Sequence, residues 1–286
     1  MKEPALLREQ VISANVEFYK EIAKKYDDYE ACASEEYFQQ ILEVDVARME
    51  SLLSSPDIHC LDCGGGSGNL TLKMLKRGWT VTVVDVSSDM LEVSKAKVAS
   101  HGYKAEFVND SIEHFLASSE RVFNVITFSS VLHHLYSPLK VINEVAVRVK
   151  PGGLFYSNFD PVLPSSRLLT TCFYNLDTIL AKMRHDRSDF LPGIGRRLRK
   201  IFIATDSAHS RAIASPGDLA EYHAREGLDD ISIAKALEQS GFIVERERYP
   251  AARTKFMLMM NRYFHAALTF TILAQRKGID PGRTTR

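Results

Sequence analysis

Short runs of β-branched and other apolar residues alternate along the chain with segments whose apolar positions recur every three or four residues. The short runs predict buried strands, and the longer segments predict helices. The predicted strands are 58–63, 79–85, 105–110, 122–130, 154–160, 242–249 and 268–277. The predicted helices are 69–77, 87–102, 137–150 and 231–240. This alternation predicts an α/β fold, in which a mostly parallel sheet carries helices on both faces.

Two segments depart from the alternation. Residues 1–55 are predicted to be helical, with an aromatic cluster made of Phe18, Tyr19, Tyr26, Tyr29, Tyr37 and Phe38. Residues 161–227 interrupt the core, and an insertion of that length is typical of a lid or a specificity segment. We therefore expect an N-terminal helical cap over 1–55, a core formed by 56–160 and 228–286, and a lid or substrate-specificity insertion over 161–227. Both additions are expected to cover the carboxyl ends of the strands.

Composition and charge narrow the class of protein. The 286 residues include 36 basic and 36 acidic side chains, so no net charge attracts nucleic acid. The N-terminus lacks the apolar core of a signal peptide, and no window of about 18 residues is apolar enough to cross a bilayer. We expect a cytoplasmic monomer or homodimer with no nucleic-acid partner and no membrane span. Cys60 and Cys63 form a CxxC without a second pair, which favours reduced structural thiols over a metal or redox site.

A glycine-rich turn follows the first predicted strand and precedes a predicted helix. Such a turn lets a ligand approach the backbone, and the helix start offers free N–H groups. The pattern is D-x-G-x-G-x-G, carried by Asp62, Gly64, Gly66 and Gly68. The dinucleotide fingerprint G-x-G-x-x-G fails in both registers, because its third glycine falls on Asn69 or Thr71. No Gly-Lys-Ser/Thr follows either, so the turn is not a P-loop.

Two aspartates help to choose the ligand of this turn. Asp62 would repel a pyrophosphate but would suit a positively charged ligand such as S-adenosylmethionine, which has an ammonium and a sulfonium and no phosphate. Asp85 ends the second strand, 17 residues beyond Gly68, where a carboxylate can accept from both ribose hydroxyls. Asp85 alone fits NAD equally well, so the choice depends on Asp62 and on the glycine spacing.

Five stretches, taken in order and spacing, resemble one family. They read LDCGGGSG, VVDVSSDML, VNDS, FNVITFSSVLHHL and RVKPGGLF. The chain is similar to the class I S-adenosylmethionine-dependent methyltransferases, in particular to the broad group that includes the ubiquinone/menaquinone C-methyltransferases. The similarity is strong over about 55–160 and extends to 228–277 by pattern. It implies a Rossmann-like, seven-stranded, mostly parallel sheet whose last strand is antiparallel.

The resemblance also implies a set of cofactor-binding residues. They are Asp62, Gly64, Gly66, Gly68, Asp85, Val86, Met90, Asp110, Ser111, Ile112 and Ser129. In this assignment Asp62 holds the ammonium, Asp85 the ribose hydroxyls and Asp110 the adenine amino group. Met90 would pack on the adenine or simply fill the core, and Asp110 could instead cap a helix.

His133 and His134 follow the fourth strand, where the resemblance directs the transferred methyl group. A histidine can take a proton near neutral pH, so either one is a candidate base or substrate-orienting residue, and either could instead only pack. The sequence SSVL replaces the Asn/Asp/Ser-Pro-Pro-aromatic motif of enzymes that methylate DNA bases. The acidic ligands of the metal-dependent catechol type are also missing there, so we expect no metal.

These features predict a metal-independent methyltransferase that acts on a small apolar or aromatic metabolite. An enzyme that uses S-adenosylmethionine for another reaction remains an alternative, and an NAD-dependent oxidoreductase is a weaker one. The Met-rich segment 255–264 favours core packing over a substrate wall. The basic run 196–200 favours a solvated face over an anion site.

Overall fold

The computed structural model describes residues 2–163, 219–224, 226–249 and 268–278, together with the single positions 176, 259 and 263. The strands are β1 (His59–Cys63), β2 (Thr80–Asp85), β3 (Glu106–Asn109), β4 (Phe123–Ser129), β5 (Val149–Pro161), β6 (Phe242–Tyr249) and β7 (Thr269–Arg276). The helices are α1 (Lys2–Ile22), α2 (Tyr26–Tyr29), α3 (Ala31–Ser34), α4 (Glu36–Leu52), α5 (Asn69–Lys76), α6 (Ser88–Ser100), α7 (Ile112–Ser118), α8 (Pro138–Arg148) and α9 (Asp230–Gln239). Two short 3₁₀ turns, Ala23–Lys25 and Leu132–His134, complete the described elements.

The seven strands form one sheet in the order β3-β2-β1-β4-β5-β7-β6. Strand β7 runs antiparallel to both β5 and β6, and the pairs on the β1 side of the sheet are parallel. This arrangement confirms the predicted Rossmann-like sheet. The order of the strands reverses between β1 and β4, and ligands of open α/β sheets bind beyond the carboxyl ends of the strands at such a point.

Apolar side chains cover both faces of the sheet. On one face, helices α4, α5 and α6 pack on alternate strand residues, among them Cys60 and Val83. On the other face, α7, α8 and α9 pack on the intervening residues, among them Cys63 and Val84. Cys60 and Cys63 therefore lie on opposite faces of β1 and cannot form a disulfide with each other, in agreement with structural thiols.

Two elements differ from the sequence prediction. Helix α7 was not predicted, although Ile112, Phe115 and Leu116 have helical spacing and are buried. Strand β5 begins earlier than predicted, because Val149 already pairs with Phe123. The Pro-Gly-Gly stretch between the predicted helix and the predicted strand lies inside β5. Its last glycine allows a close strand approach, since a Cβ at residue 153 would lie 2.5 Å from a backbone oxygen of β4.

The N-terminal segment is helical, as predicted, and it joins the core at the glycine-rich turn. Asp27 accepts hydrogen bonds from Ser67 (2.6 Å) and Asn69 (3.2 Å), and it pairs with Lys97 at 2.5 Å. Most of the insertion, the basic run 196–200 and nearly all of the Met-rich segment 255–264 lie outside the described residues. Among the helices that the structure describes, none is long and apolar enough to cross a membrane.

Candidate active site

A pocket opens at the carboxyl ends of β1, β2 and β4. It contains about 1050 Å³ of empty space, part of it open to solvent. Its walls come from the turn after β1, from the residues that follow β2 and β4, from the start of α7 and from the N-terminal helices. The pocket therefore lies beyond the carboxyl ends of the strands, where ligands of open α/β sheets bind.

Ten of the thirteen residues proposed from the sequence line this pocket. They are Asp62, Gly64, Gly66, Asp85, Val86, Met90, Ser111, Ile112, Ser129 and His134. The other three, Gly68, Asp110 and His133, are not part of its lining. The structure thus brings most of the predicted site residues together around one pocket. Gly68, Asp110 and His133 lie outside the pocket lining and instead contact neighbouring elements.

Gly66 is the glycine of the turn that meets open space. At Gly66, whose φ is +54°, an added Cβ would meet, among the described residues, only Met90 Cε at 3.5 Å and a backbone oxygen at 3.8 Å. An added Cβ at Gly64 would instead lie 2.7 Å from the side chain of Val131. Protein packing therefore requires glycine at 64, whereas the small size of residue 66 leaves room for a ligand.

Asp62 lies under the turn with its side chain buried. Its Oδ1 accepts a hydrogen bond from Thr127 Oγ1 (2.8 Å), and its Oδ2 accepts one from Thr71 Oγ1 (2.5 Å). Burial raises the pKa of Asp62 to about 6, although both hydroxyl hydrogen bonds act to lower it. Within the described parts of the chain Asp62 has no ion-pair partner, so a ligand ammonium would stabilise its ionised form.

Asp85 ties the turn to the end of β2. Its carboxylate accepts the backbone N–H of Gly66 (2.9 Å) and that of Ser87 (2.8 Å). Burial raises the pKa of Asp85, and these two hydrogen bonds oppose the shift. Each carboxylate oxygen keeps a second lone pair, so a ligand hydroxyl can still donate to it. Val86 and the buried Met90 continue the pocket wall along the start of α6.

Gly68 and Asp110 serve neighbouring elements. An added Cβ at Gly68 would lie 2.4 Å from Ser94 Oγ, so this glycine allows α5 and α6 to pack closely. The carboxylate of Asp110 accepts from the backbone N–H of Ser111 (2.8 Å) and from Nδ1 of His114 (2.6 Å). The cap of α7 is Ser111, whose side chain accepts from the backbone of His114.

His134, in the 3₁₀ turn after β4, also lines the pocket. Its Nδ1 lies 2.7 Å from the carbonyl oxygen of Ala220, and its Nε2 lies 3.0 Å from the hydroxyl of Tyr19. Burial and the nearby positive charge of His133 lower the pKa of His134 to about 4. The imidazole of His134 is therefore uncharged at neutral pH.

His133 is buried behind His134 between two carboxylates. Its Nδ1–H and its backbone N–H donate to Asp160 Oδ1 (2.8 and 3.1 Å), and its Nε2 lies 3.6 Å from Glu221 Oε2. Burial alone would lower the pKa of His133, but the two carboxylates outweigh it and raise the pKa to about 9. His133 therefore carries a charge at neutral pH and links β5 to residues 219–224.

One group of side chains in the described regions could hold a metal ion by position. Ligand atoms of His133, His134 and Glu221 lie within 4.8 Å of one another. A metal would have to displace the charge-bearing proton of His133 and break the hydrogen bonds of His134 to Ala220 and Tyr19. Since these contacts satisfy both rings, we assign no metal to the cluster.

The sequence did not reveal which residues of the N-terminal helices reach the pocket. Val11, Ile12, Asn15, Tyr19 and Tyr26 belong to its lining. Their spacing places them along one side of a helical segment, which is the signal that was available. A pocket-facing stripe and a core-facing stripe have the same pattern, so only the structure separates them. Asp160 and Glu221 were also missed, since their partner His133 is distant in sequence.

The pocket is acidic. Its described lining includes Asp62, Asp85 and Glu113 and contains no lysine or arginine. A pyrophosphate would have no cationic side chain to neutralise it in this part of the chain, whereas an ammonium or sulfonium would meet carboxylates. The residues present therefore fit a cationic, phosphate-free ligand.

Comparison with known sequences gives matches over the same region. Residues 60–153 match the family described as "Methyltransferase domain". The chain is 28% identical over 178 residues to a ubiquinone biosynthesis O-methyltransferase of Vibrio vulnificus (strain YJ016). That match covers 60% of this chain and 74% of the relative.

Solved structures share the fold. The N-methyltransferase NodS from Bradyrhizobium japonicum WM9, in complex with S-adenosyl-L-homocysteine, has a TM-score of 0.55 at 12% identity and covers 92% of this chain and 98% of its own. The [4+2]-cyclase SpnF has a TM-score of 0.52 at 12% identity, with 84% and 81% covered. These two proteins bear different reaction names, so the fold alone does not identify the reaction.

Proposed function

Residues 60–153 form a class I S-adenosylmethionine-dependent methyltransferase domain, and on that premise we propose that the chain methylates a small, apolar or aromatic molecule without a metal ion. When bound, the cofactor supplies an electrophilic methyl group on a sulfonium. The residues of the chain bind the cofactor and the acceptor, hold them in line, exclude water and remove a proton where the acceptor requires it.

The acidic pocket around Gly66 supports the assignment of the cofactor side. Asp62 would receive the ammonium, Asp85 the ribose hydroxyls, and Met90 would pack against the adenine. Ser111, Ile112 and Ser129 belong to the same wall. Gly68 acts through helix packing in this proposal, and Asp110 acts by holding the loop before α7.

The part of the pocket wall formed by the N-terminal helices is proposed to contact the methyl acceptor. Its composition is the observation on which the proposed substrate class rests. Val11, Ile12, Tyr19 and Tyr26 offer apolar and aromatic surface to the pocket. No cationic side chain lies among the described lining residues, so an acceptor with a phosphate or carboxylate is disfavoured. We further propose that residues 1–55 act as a cap and residues 161–227 as a lid over the core formed by 56–160 and 228–286.

Two measurements test this function. Calorimetry in the presence of a chelator should detect binding of S-adenosylhomocysteine, and NAD should not compete with it. Incubation with labelled S-adenosylmethionine should then transfer label to neutral aromatic acceptors in preference to their carboxylated counterparts. Binding of NAD alone would overturn the cofactor, a need for added metal would overturn metal independence, and preference for the carboxylated acceptors would overturn the substrate class.

A further inference from the structure

Two polar side chains meet at the acceptor side of the pocket. Tyr19 comes from α1, and His134 comes from the 3₁₀ turn after β4, 115 residues later in the chain. Both line the pocket, and the hydroxyl of Tyr19 lies 3.0 Å from Nε2 of His134. Their rings also meet edge to face, with centroids 5.6 Å apart. The contact is therefore fixed by packing as well as by a hydrogen bond.

The carbonyl of Ala220 determines the direction of this hydrogen bond. A carbonyl oxygen can only accept, and it lies 2.7 Å from Nδ1 of His134, so Nδ1 carries the proton. In a neutral imidazole the other nitrogen is then an acceptor, and Tyr19 donates to Nε2. A phenol oxygen that donates its proton keeps lone pairs with which to accept another.

The surrounding charges and burial keep Tyr19 protonated and His134 neutral. Burial and the charge of His133 lower the pKa of His134 to about 4, while Glu221 and Asp160 act in the opposite direction. Burial and nearby acidic groups, Glu221 first among them, raise the pKa of Tyr19. Tyr19 is thus a protonated phenol and His134 a neutral imidazole. The carboxylates of Asp160 and Glu221 stand behind the two histidines, where they can offset a second positive charge.

We infer that Tyr19 and His134 form a proton relay for a hydroxyl acceptor. The acceptor O–H donates to the Tyr19 oxygen, while the Tyr19 proton passes to Nε2 of His134. The inference rests on the proposed function and specifies the acceptor atom as oxygen.

The atoms balance over one turnover. The acceptor loses its O–H bond and gains an O–CH₃ bond, and the cofactor leaves as S-adenosylhomocysteine. The proton ends on His134, which retains Nδ1–H on the Ala220 carbonyl and later releases one proton to water. A weak base is sufficient, because an oxygen that is gaining a methyl group becomes strongly acidic as the transfer proceeds. A base that stays neutral down to low pH also remains available across the physiological range.

A direct test measures the protonation state and tautomer of His134 without any catalytic turnover. Nitrogen NMR of the protein with S-adenosylhomocysteine should show His134 as the neutral Nδ1–H tautomer from pH 8 to about pH 5. Tyr19→Phe should move the Nε2 resonance, because its hydrogen-bond donor is removed, whereas Tyr37→Phe should leave it in place. Tyr37 is a matched control, a phenol of the same N-terminal region that is 41% exposed. A proton on Nε2, or an ordinary titration near pH 6.5, would overturn the relay.

A second test measures methyl transfer to different acceptors and the kcat of variants. Neutral phenols of one to three rings should accept labelled methyl groups, and the aniline of the same skeleton should accept fewer. Tyr19→Phe and His134→Gln should each lower kcat by roughly 10²-fold, and the double variant should be no slower than the slower single variant. Binding of S-adenosylhomocysteine should stay within about twofold throughout, since neither side chain is assigned to the cofactor.

The experiment distinguishes failure of the proton relay from failure of the proposed methyltransferase function. Unchanged kcat in either single variant, fully additive losses in the double variant, a preference for the amine, or no transfer to any phenol would each overturn the relay. S-adenosylhomocysteine binding in the same preparations reports on the methyltransferase proposal itself. If the wild-type protein fails to bind it, the proposed function fails first.

Discussion

Gly64 and Gly66 are two positions apart in the same turn, yet a methyl group would have different effects at the two positions. At Gly64 it would overlap Val131, which belongs to the packed wall behind the turn. At Gly66 the nearest atom among the described residues would be Met90 Cε, at 3.5 Å. The same substitution can therefore separate a folding role from a binding role.

Gly66→Ala should weaken binding of S-adenosylhomocysteine by at least about tenfold, because its Cβ takes space that the ligand uses. Its positive φ should cost the fold about 1 kcal/mol. Gly64→Ala has a similar backbone cost, since its φ is +64°, and overpacking against Val131 should lower the free energy of unfolding by about 1–3 kcal/mol more. Calorimetry and urea unfolding on both variants give the comparison. Full affinity in a folded Gly66→Ala protein would move the ligand away from this turn.

At the scale of elements, one extra residue in β5 shapes the site. Ser157 pairs with Ile272 and Asp160 pairs with Phe270, so three steps along β5 oppose two along β7. Phe159 takes up the irregularity at a φ of +65°. A bulge of this kind redirects the side chains that follow it. Here the residue after Phe159 is the aspartate that holds His133.

The N-terminal helices are attached to the core by a polar contact that substitution can loosen. Asp27→Asn removes the charge that pairs with Lys97 and weakens the hydrogen bonds from Ser67 and Asn69. The pair is partly exposed, so the loss should be about 1 kcal/mol or less, and it should appear as faster hydrogen exchange in α1 and α2.

Glu245→Gln offers the matched control for this substitution. It breaks the exposed Arg48–Glu245 pair and should leave exchange in α1 and α2 unchanged. Equal exchange in wild type and Asp27→Asn would mean that apolar packing alone holds the N-terminal helices.

For the molecule as a whole, His133 makes stability depend on pH. Its pKa is raised to about 9 in the folded protein, against about 6.5 in an unfolded chain. The stabilisation is therefore complete below about pH 6.5 and is lost as the pH rises through 9, by about 3 kcal/mol in total. Urea unfolding between pH 6 and 10 should show this loss in the wild type. The difference between wild type and His133→Gln should shrink over the same range, and parallel curves would contradict a charged His133.

Much of this molecule follows from local pattern. The strands, the sheet class and the turn from Asp62 to Gly68 are predictable because alternation and glycine spacing are properties of neighbouring residues. The position of Tyr19 opposite His134, and of Asp160 under His133, depends on packing between distant segments, which no local pattern encodes. The same limit explains Gly68, whose partner Ser94 lies on the following helix and becomes visible only in the folded chain. Asp110 and His114 are only four residues apart, so their contact is a local one.

Helix α1 adds no strand to the sheet, so the acceptor side proposed above can change without any change in the sheet. Val11, Ile12, Asn15 and Tyr19 lie on a helix whose replacement would leave every strand pair in register. The residues proposed to bind the cofactor lie after residue 58, in the part of the chain that forms the sheet. Related chains could therefore exchange one short N-terminal module and acquire a new acceptor while they keep the same methyl donor.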